Sequence, residues 1–130
     1  MIGEPPPVVR AAEHPLLPRI PVPEGFQLSD SDTRARNSGA VRAGQFRFRG
    51  DLPVQQTIRF YEHHMPTAGF RQGSKLFNGG ECTIRFESDS EECNVWIKPG
   101  WWRTTLIIDV GPLPGPSPSE REAVSPARRS

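Results

Sequence analysis

The sequence has little of what marks catalytic, metal-binding or membrane-spanning proteins. Only two of its 130 residues are cysteine, too few for a disulfide scaffold. The formal net charge is +1, so bulk charge favours neither nucleic acid nor a membrane surface. No apolar run is long enough to cross a bilayer. Nucleophile-elbow, phosphate-loop and dinucleotide motifs are also missing. We therefore expect a non-enzymatic protein without cofactor, metal or transmembrane segment.

Aromatic residues and prolines are unevenly distributed along the chain. All aromatic residues lie between Phe26 and Trp102, whereas seven of the 15 prolines precede them and five lie in the last twenty residues. This predicts an extended, unpacked Pro-rich leader at 1–25, an α+β domain at 26–111 and a disordered Pro/Ser/Arg-rich tail at 112–130. The leader is interpreted as a spacer, with a Pro-rich ligand for another domain as the alternative.

The first half of the domain predicts one strand followed by one helix. Residues 26–28 suggest a short edge strand, and the polar stretch 29–39 suggests a loop. Residues 45–49 alternate between apolar and polar, which is typical of a half-buried strand. The helix follows, with Asp51 as a candidate cap and Gly69 as a left-handed terminus. Its apolar stripe consists of Val54, Ile58, Tyr61 and Met65.

The second half predicts a meander of four strands, the first at 70–77. A three-residue turn at 78–80 would place Cys82 opposite Leu76 on the core face. The inward positions of the last three strands are Cys82, Ile84, Phe86, Cys93, Val95, Ile97, Leu106, Ile108 and Val110. The predicted fold is a single helix on one face of a four- to six-stranded, mainly antiparallel sheet, in the order βαββββ with a possible extra N-terminal edge strand. The other sheet face would meet water or a partner.

Three polar or sulfur-containing groups are candidate sites, and each has a simpler structural interpretation. A turn at 89–90 separates the two cysteines by about 13 Å, which disfavours a disulfide and predicts two buried thiols. Glu62, His63 and His64 would be the residues of an enzyme, but adjacent histidines diverge on a helix and lack a ligand one turn away. In the acidic turn at 87–92, Glu87 and Glu92 would lie opposite each other, which is unfavourable unless a divalent cation or an arginine of the loop at 29–39 compensates. The simpler interpretation, a solvated tip that discourages edge aggregation, is favoured.

The outer sheet face is the candidate binding surface. Basic and aromatic residues alternate on it and continue into the neighbouring loop; they are Arg47, Arg49, Arg71, Arg85, Trp96, Trp101, Trp102 and Ile107. Such a face could bind a protein partner or a second copy, since Trp and Arg are frequent anchors of interfaces. It could instead bind single-stranded nucleic acid, which the weak net charge disfavours. It could also be covered by its own side chains or by the N-terminal segment.

The segment from helix to strand carries a resemblance to a known domain. Phe60-Tyr61, Met65-Pro66 and Gly69-Phe70 follow the pattern F-Y-x-x-x-M-P-x-x-G-F/W. In this the chain resembles an uncharacterised domain of small planctomycete-type bacterial proteins, many of them secreted or lipid-anchored. The resemblance implies the fold but no activity. The chain as given starts without the basic and apolar regions of a signal peptide. From the sequence as given we therefore expect a cytoplasmic protein, or a cell-envelope or secreted protein if a signal precedes this sequence.

Overall fold

The main sheet contains six antiparallel strands, and their order across the sheet differs from their order along the chain. The computed structural model describes residues 8–14, 17–37 and 40–113. The elements are β1 (Ala11–His14), β2 (Leu17–Pro23), β3 (Gln27–Asn37), β4 (Ala40–Gly50), α1 (Val54–Thr67), β5 (Arg71–Asn78), β6 (Glu81–Glu87), β7 (Glu91–Lys98) and β8 (Thr104–Pro112). The main sheet has the order β3-β4-β8-β7-β6-β5, and β1 pairs with β2 in a separate two-stranded sheet. The predicted α+β class is confirmed.

The core lies between the main sheet and the helix. Every inward position predicted on β6, β7 and β8 is buried, and so are Phe46 and Phe48 on β4. On the helix, Ile58, Tyr61 and Met65 are buried as the stripe predicts, and Thr57 joins them. Alternation along the strands and the helical spacing of the stripe therefore predict most buried positions of these elements. The exceptions are Val54, which is half-buried, and Phe60, which is buried outside the predicted stripe.

The helix begins differently from the prediction. Pro53 is the N-cap and no side chain caps the helix. Asp51 is exposed and lies 3.6 Å from the Nε of Arg103. The hydroxyl of Thr57 donates to the carbonyl of Pro53 at 3.0 Å, so the first turn is tied by a residue inside the helix. At the other end Pro66 lies within the last turn rather than ending it, and Gly69 follows with φ +94°, the left-handed conformation that the sequence predicts.

The expectation of an unpacked leader is wrong for residues 17–23. Leu17, Ile20 and Val22 on β2 are buried in the main core. β2 contacts both the helix and β4, while the helix covers β5, β6 and β7. One helix is too narrow to cover the apolar face of six strands, so the β1–β2 hairpin covers the remainder. The hydroxyl of Tyr61 donates to the carbonyl of Pro21 at 2.9 Å, which ties the hairpin to the helix.

The prolines of this segment are compatible with its strands because the hairpin is only two strands wide. In a narrow ribbon, a proline can sit where no ladder hydrogen bond is required. The Pro-rich composition therefore means that backbone N–H donors are missing from this segment. It does not mean that the segment is unpacked. Residues 1–7 and 15–16 of the predicted leader, and 114–130 of the predicted tail, lie outside the described residues.

The polar stretch predicted as a loop at 29–39 is also a strand over most of its length. β3 continues to Asn37 and pairs with β4, with three irregularities in the register. β3 is an edge strand, so a polar composition rich in turn-forming residues does not prevent pairing. Hydrogen bonding to β4 therefore outweighs the preference of these residues for turns and loops.

The register of the β5–β6 hairpin differs from the predicted one, in which a three-residue turn places Cys82 opposite Leu76. The loop has two residues, Gly79 and Gly80, each with positive φ, and Cys82 lies opposite Phe77. Leu76 consequently lies on the outer face with 66% of its surface exposed, not in the core. β5 lies at the sheet edge, where no buried face constrains its register, and so the glycine turn decides it.

Candidate functional site

The register of the six strands places the predicted outer-face residues in rows that run across the sheet. One row consists of Arg47, Ile107, Trp96, Thr83 and Leu76, each paired with the next. The neighbouring row, nearer the β7–β8 loop, consists of Arg49, Thr105 and Lys98. A row on the other side contains Asp109, Asn94 and Arg85 and leads to the acidic β6–β7 turn. The face therefore has a tryptophan-bearing end and an acidic end.

Arg85 lies at the acidic end, where its guanidinium already binds carboxylates of the same chain. Glu87 and Glu92 lie directly opposite each other, as the sequence predicts. Arg85 compensates their repulsion: its guanidinium forms ion pairs with Glu87 and, at 3.0 Å, with Glu92. The hydrogen bond from Arg85, helped by one from Asn94, lowers the pKa of Glu92. Arg85 therefore balances the turn from within the sheet, a role that was not predicted from the sequence. The predicted alternative, an arginine of the loop at 29–39, falls on side chains outside the described part of the structure.

Arg71 is likewise separated from the tryptophans. It lies on β5, opposite Glu87, and its guanidinium is 3.4 Å from the carboxylate of Asp89. Both predicted arginines at this end therefore face acidic groups of the same chain.

Trp96 and Ile107 lie side by side on the outer face as predicted, but neither is a free surface group. The ammonium of Lys98 lies 4.3 Å from the centre of the Trp96 ring, and the indole N–H donates to Glu81 at 3.1 Å. Ile107 is only 5% exposed, because it lies between Arg47 and Trp96, whose long side chains can cover it. The expectation that Ile107 is accessible to a ligand is therefore wrong.

The β7–β8 loop presents two adjacent tryptophans to solvent. Trp101 is 93% exposed and Trp102 is 88% exposed, with ring centroids 6.4 Å apart and planes inclined by 40°. The loop is tight: a Cβ at Gly100 would lie 2.3 Å from the carbonyl oxygen of Arg103, so only glycine fits. The tight backbone at Gly100 therefore constrains the loop that carries both residues.

A groove of about 420 Å³ lies beside these rings, lined by Arg49, Gly100, Trp101, Trp102, Arg103 and Thr105. Arg47 and Arg49 are exposed, and neither has an acidic partner among the side chains that the structure describes. We call this part of the outer face the tryptophan end, defined by Arg47, Arg49, Trp101, Trp102 and Arg103. Arg103 lies beside Asp51, but Arg47 and Arg49 add positive charge that no described carboxylate balances. This charge and the apolar rings suit an acidic ligand with apolar side chains.

The candidate catalytic residues on the helix have separate structural contacts. Glu62 accepts a charged hydrogen bond from Lys75 at 2.8 Å. His64 packs on Phe60 and lies 2.9 Å from the carbonyl of Val9, while the exposed His63 packs on the edge of His64. These contacts hold the β1–β2 region against the helix and do not bring an acid, a base and a nucleophile together.

Both cysteines are buried, as predicted. Burial raises the pKa of each thiol, which keeps it in the neutral and unreactive form. Within residues 8–14, 17–37 and 40–113, no three His, Cys, Asp or Glu side chains are grouped closely enough to hold a metal ion. The same residues include no helix with the length and hydrophobicity needed to cross a bilayer.

Sequence reasoning missed Lys98 and Arg103 as parts of this surface. Arg103 directly follows the two tryptophans, so its position in the sequence could have indicated it. Lys98 is placed beside Trp96 by its side-chain conformation, which a sequence pattern does not contain. Comparisons of the chain with protein families, with curated proteins and with solved structures found no match. The resemblance to a planctomycete-type domain therefore stays a prediction.

Proposed function

We propose that this protein is a non-enzymatic binding module that docks an acidic segment of a protein partner on its tryptophan end. The observation that carries the proposal is the exposure of Trp101 and Trp102 in a tight loop beside Arg49, which has no acidic partner among the described side chains. A tryptophan buries about 150–250 Å² when it is fully covered, so two exposed rings form a large apolar surface. Tryptophan and arginine are also the residues most enriched among the energetically dominant contacts of protein interfaces.

Charge selects the kind of partner. Arg47 and Arg49 are exposed and uncompensated among the described side chains, whereas the arginines of the acidic end already have carboxylate partners. Carboxylates of a docked segment would meet planar guanidinium groups, which bind them through two parallel hydrogen bonds. An extended acidic peptide with an aromatic or aliphatic residue fits this combination.

Single-stranded nucleic acid is the alternative ligand for the same surface. It would need the rings as stacking platforms and the arginines as phosphate contacts. The rings are inclined by 40° to each other. This inclination favours a peptide over successive bases that stack in parallel.

The test begins with selection of peptides from a random library on the immobilised full chain. Selected peptides are then measured by fluorescence anisotropy against wild type, Trp102→Ala and Arg49→Glu. We expect acidic, apolar-containing peptides whose affinity falls about 30-fold or more with Trp102→Ala, the effect of losing roughly 2 kcal/mol at a dominant contact. Leu76→Ala is the matched control, because it removes an exposed apolar side chain from a distant strand of the same face.

Two outcomes would contradict the proposal. Peptides that bind the Trp102→Ala and wild-type proteins equally would show that the tryptophan end is not the docking surface. Tighter binding of an oligothymidylate than of any selected peptide, with affinity falling steeply as salt is raised, would instead identify the nucleic-acid alternative.

A further inference from the structure

β5 is an open edge of the main sheet. It is the last strand in the order, and no other strand of the described chain pairs with its outer side. All eight of its residues are exposed, including Leu76 at 66% and Phe77 at 58%. An open strand edge with large apolar side chains on both faces is a template for pairing with another strand.

The positive charge that usually protects such an edge has a carboxylate partner here. Lysine on an edge strand opposes association because pairing brings its charge against an incoming strand. The ammonium of Lys75 lies 2.8 Å from the carboxylate of Glu62 on the helix and 5.6 Å from the centre of the Phe77 ring. An incoming strand would therefore meet an ion pair and an aromatic ring rather than an isolated positive charge.

The glycine turn determines which backbone groups of β5 face outward. Gly79 and Gly80 form a two-residue hairpin loop, whose flanking residues make a hydrogen-bonded pair. Hydrogen-bonded and non-hydrogen-bonded pairs alternate along an antiparallel ladder. The N–H and C=O groups of Lys75 and Phe77 are consequently expected to point away from β6, toward the open side.

We propose that two copies of this chain pair antiparallel through β5, with Leu76 on the twofold axis. In this register Leu76 lies opposite the partner's Leu76, and Lys75 forms a hydrogen-bonded pair with the partner's Phe77. Each ammonium is then adjacent to an aromatic ring, with which it can make a cation–π contact. Centring the pair on Lys75 would instead oppose two positive charges directly, which is unfavourable.

The geometry also limits the assembly to a weak dimer. The register shift between Gln72 and Lys75 interrupts β5, so about five residues of each copy can pair. In a twofold contact each copy uses its own β5 edge, so no β5 edge is left for a third copy. The assembly therefore stops at a dimer. The surface is separate from the tryptophan end, so this proposal extends beyond the proposed function and does not depend on it.

Disulfide crosslinking of the full chain tests the register. Facing residues of a non-hydrogen-bonded pair have Cα atoms about 4.5 Å apart, within the range of a disulfide. Leu76→Cys should therefore form a covalent dimer under mild oxidation. Ser74→Cys is the matched control, exposed on the same strand but opposite the partner's Asn78. We expect crosslinking at least about tenfold faster at 76 than at 74. Wild type should not crosslink, because Cys82 and Cys93 are buried.

Sedimentation of the uncrosslinked protein provides a second measurement. Wild type should show a concentration-dependent dimer that Phe77→Lys abolishes and the double variant Trp101→Ala/Trp102→Ala leaves unchanged. Equal crosslinking rates at 74 and 76, or a wild-type monomer at about 0.5 mM, where even a weak interface of this size should be populated, would overturn the proposal. Either result would leave peptide binding at the tryptophan end unaffected.

Discussion

Replacing Ile20 by alanine is the sharpest test of the N-terminal hairpin as part of the core. Ile20 lies on β2, is 3% exposed and belongs to the same apolar cluster as the inward residues of the sheet. Removing a fully buried isoleucine side chain down to alanine typically costs about 2–5 kcal/mol, the sum of lost burial and the cavity left behind. A domain of this size has roughly 5–10 kcal/mol in total, so the loss would be a large fraction of its stability.

Equilibrium unfolding in urea, followed by far-ultraviolet circular dichroism, measures this loss on the full chain. With a slope of about 1–1.5 kcal/mol per molar urea, a loss of 3 kcal/mol moves the midpoint down by roughly 2–3 M. Glu13→Ala is the control, because Glu13 is exposed on the neighbouring strand β1. We expect that control to change stability by less than about 0.5 kcal/mol. If Ile20→Ala costs less than about 1 kcal/mol, the hairpin does not contribute to the core and a spacer is the correct interpretation of this segment.

Two further predictions concern ionisable groups. Arg85→Met should raise the pKa of Glu92, measured by NMR titration, because the hydrogen bond from Arg85 is the main cause of its lowered value. A carboxyl whose pKa is lowered on folding stabilises the fold above its unfolded pKa and loses that effect as pH falls, so the stability gap between wild type and Arg85→Met should narrow from pH 6 to about pH 3. An unchanged pKa for Glu92 would refute the assigned contact. Burial raises the pKa of Cys93 and of Tyr61, so both hold their protons in the folded state at pH values where the unfolded chain releases them. The free energy of unfolding should therefore keep its full value below the unfolded pKa of each group. It should fall as the pH rises above about 8.5, by roughly 1.4 kcal/mol per pH unit for each group that titrates only in the unfolded state. Urea unfolding at several alkaline pH values should show a shallower decline for Cys93→Ala, and an identical decline would show that this thiol is not protected by the fold.

The core of the central strands and the helix could be predicted from the sequence because apolar residues recur in each of these elements at the period of its buried face. In β6, β7 and β8, strict alternation leaves only one assignment of faces that buries Ile84, Val95 and Ile108 together. The helical stripe carries the same information at a different period, and a glycine in the left-handed conformation marks the end of the helix. These patterns are local, so no knowledge of distant residues is needed to interpret them.

The candidate site could be predicted only in part, because the contacts of exposed side chains depend on residues distant in the chain. The pairing of Arg85 with two glutamates, and the position of Ile107 between Arg47 and Trp96, follow from the register of neighbouring strands. Sequence patterning places these residues on the outer face but does not show which of them are already occupied. Exposed polar side chains have many alternative partners, so no local pattern selects one.

The sequence by itself therefore determined the α+β class, the helix and the buried face of the central strands, because burial at a regular period is encoded residue by residue. Only the tertiary structure decided the roles of β2, β3 and β5. For β5, predicted as a strand, only the register was left open. The local composition of β2 and β3, rich in proline or polar residues, favours irregular chain, and strand pairing or the need to cover an open apolar face outweighs that preference. The same holds for the tryptophan end. The sequence predicts most of its residues, whereas the strand register separates them from the acidic end.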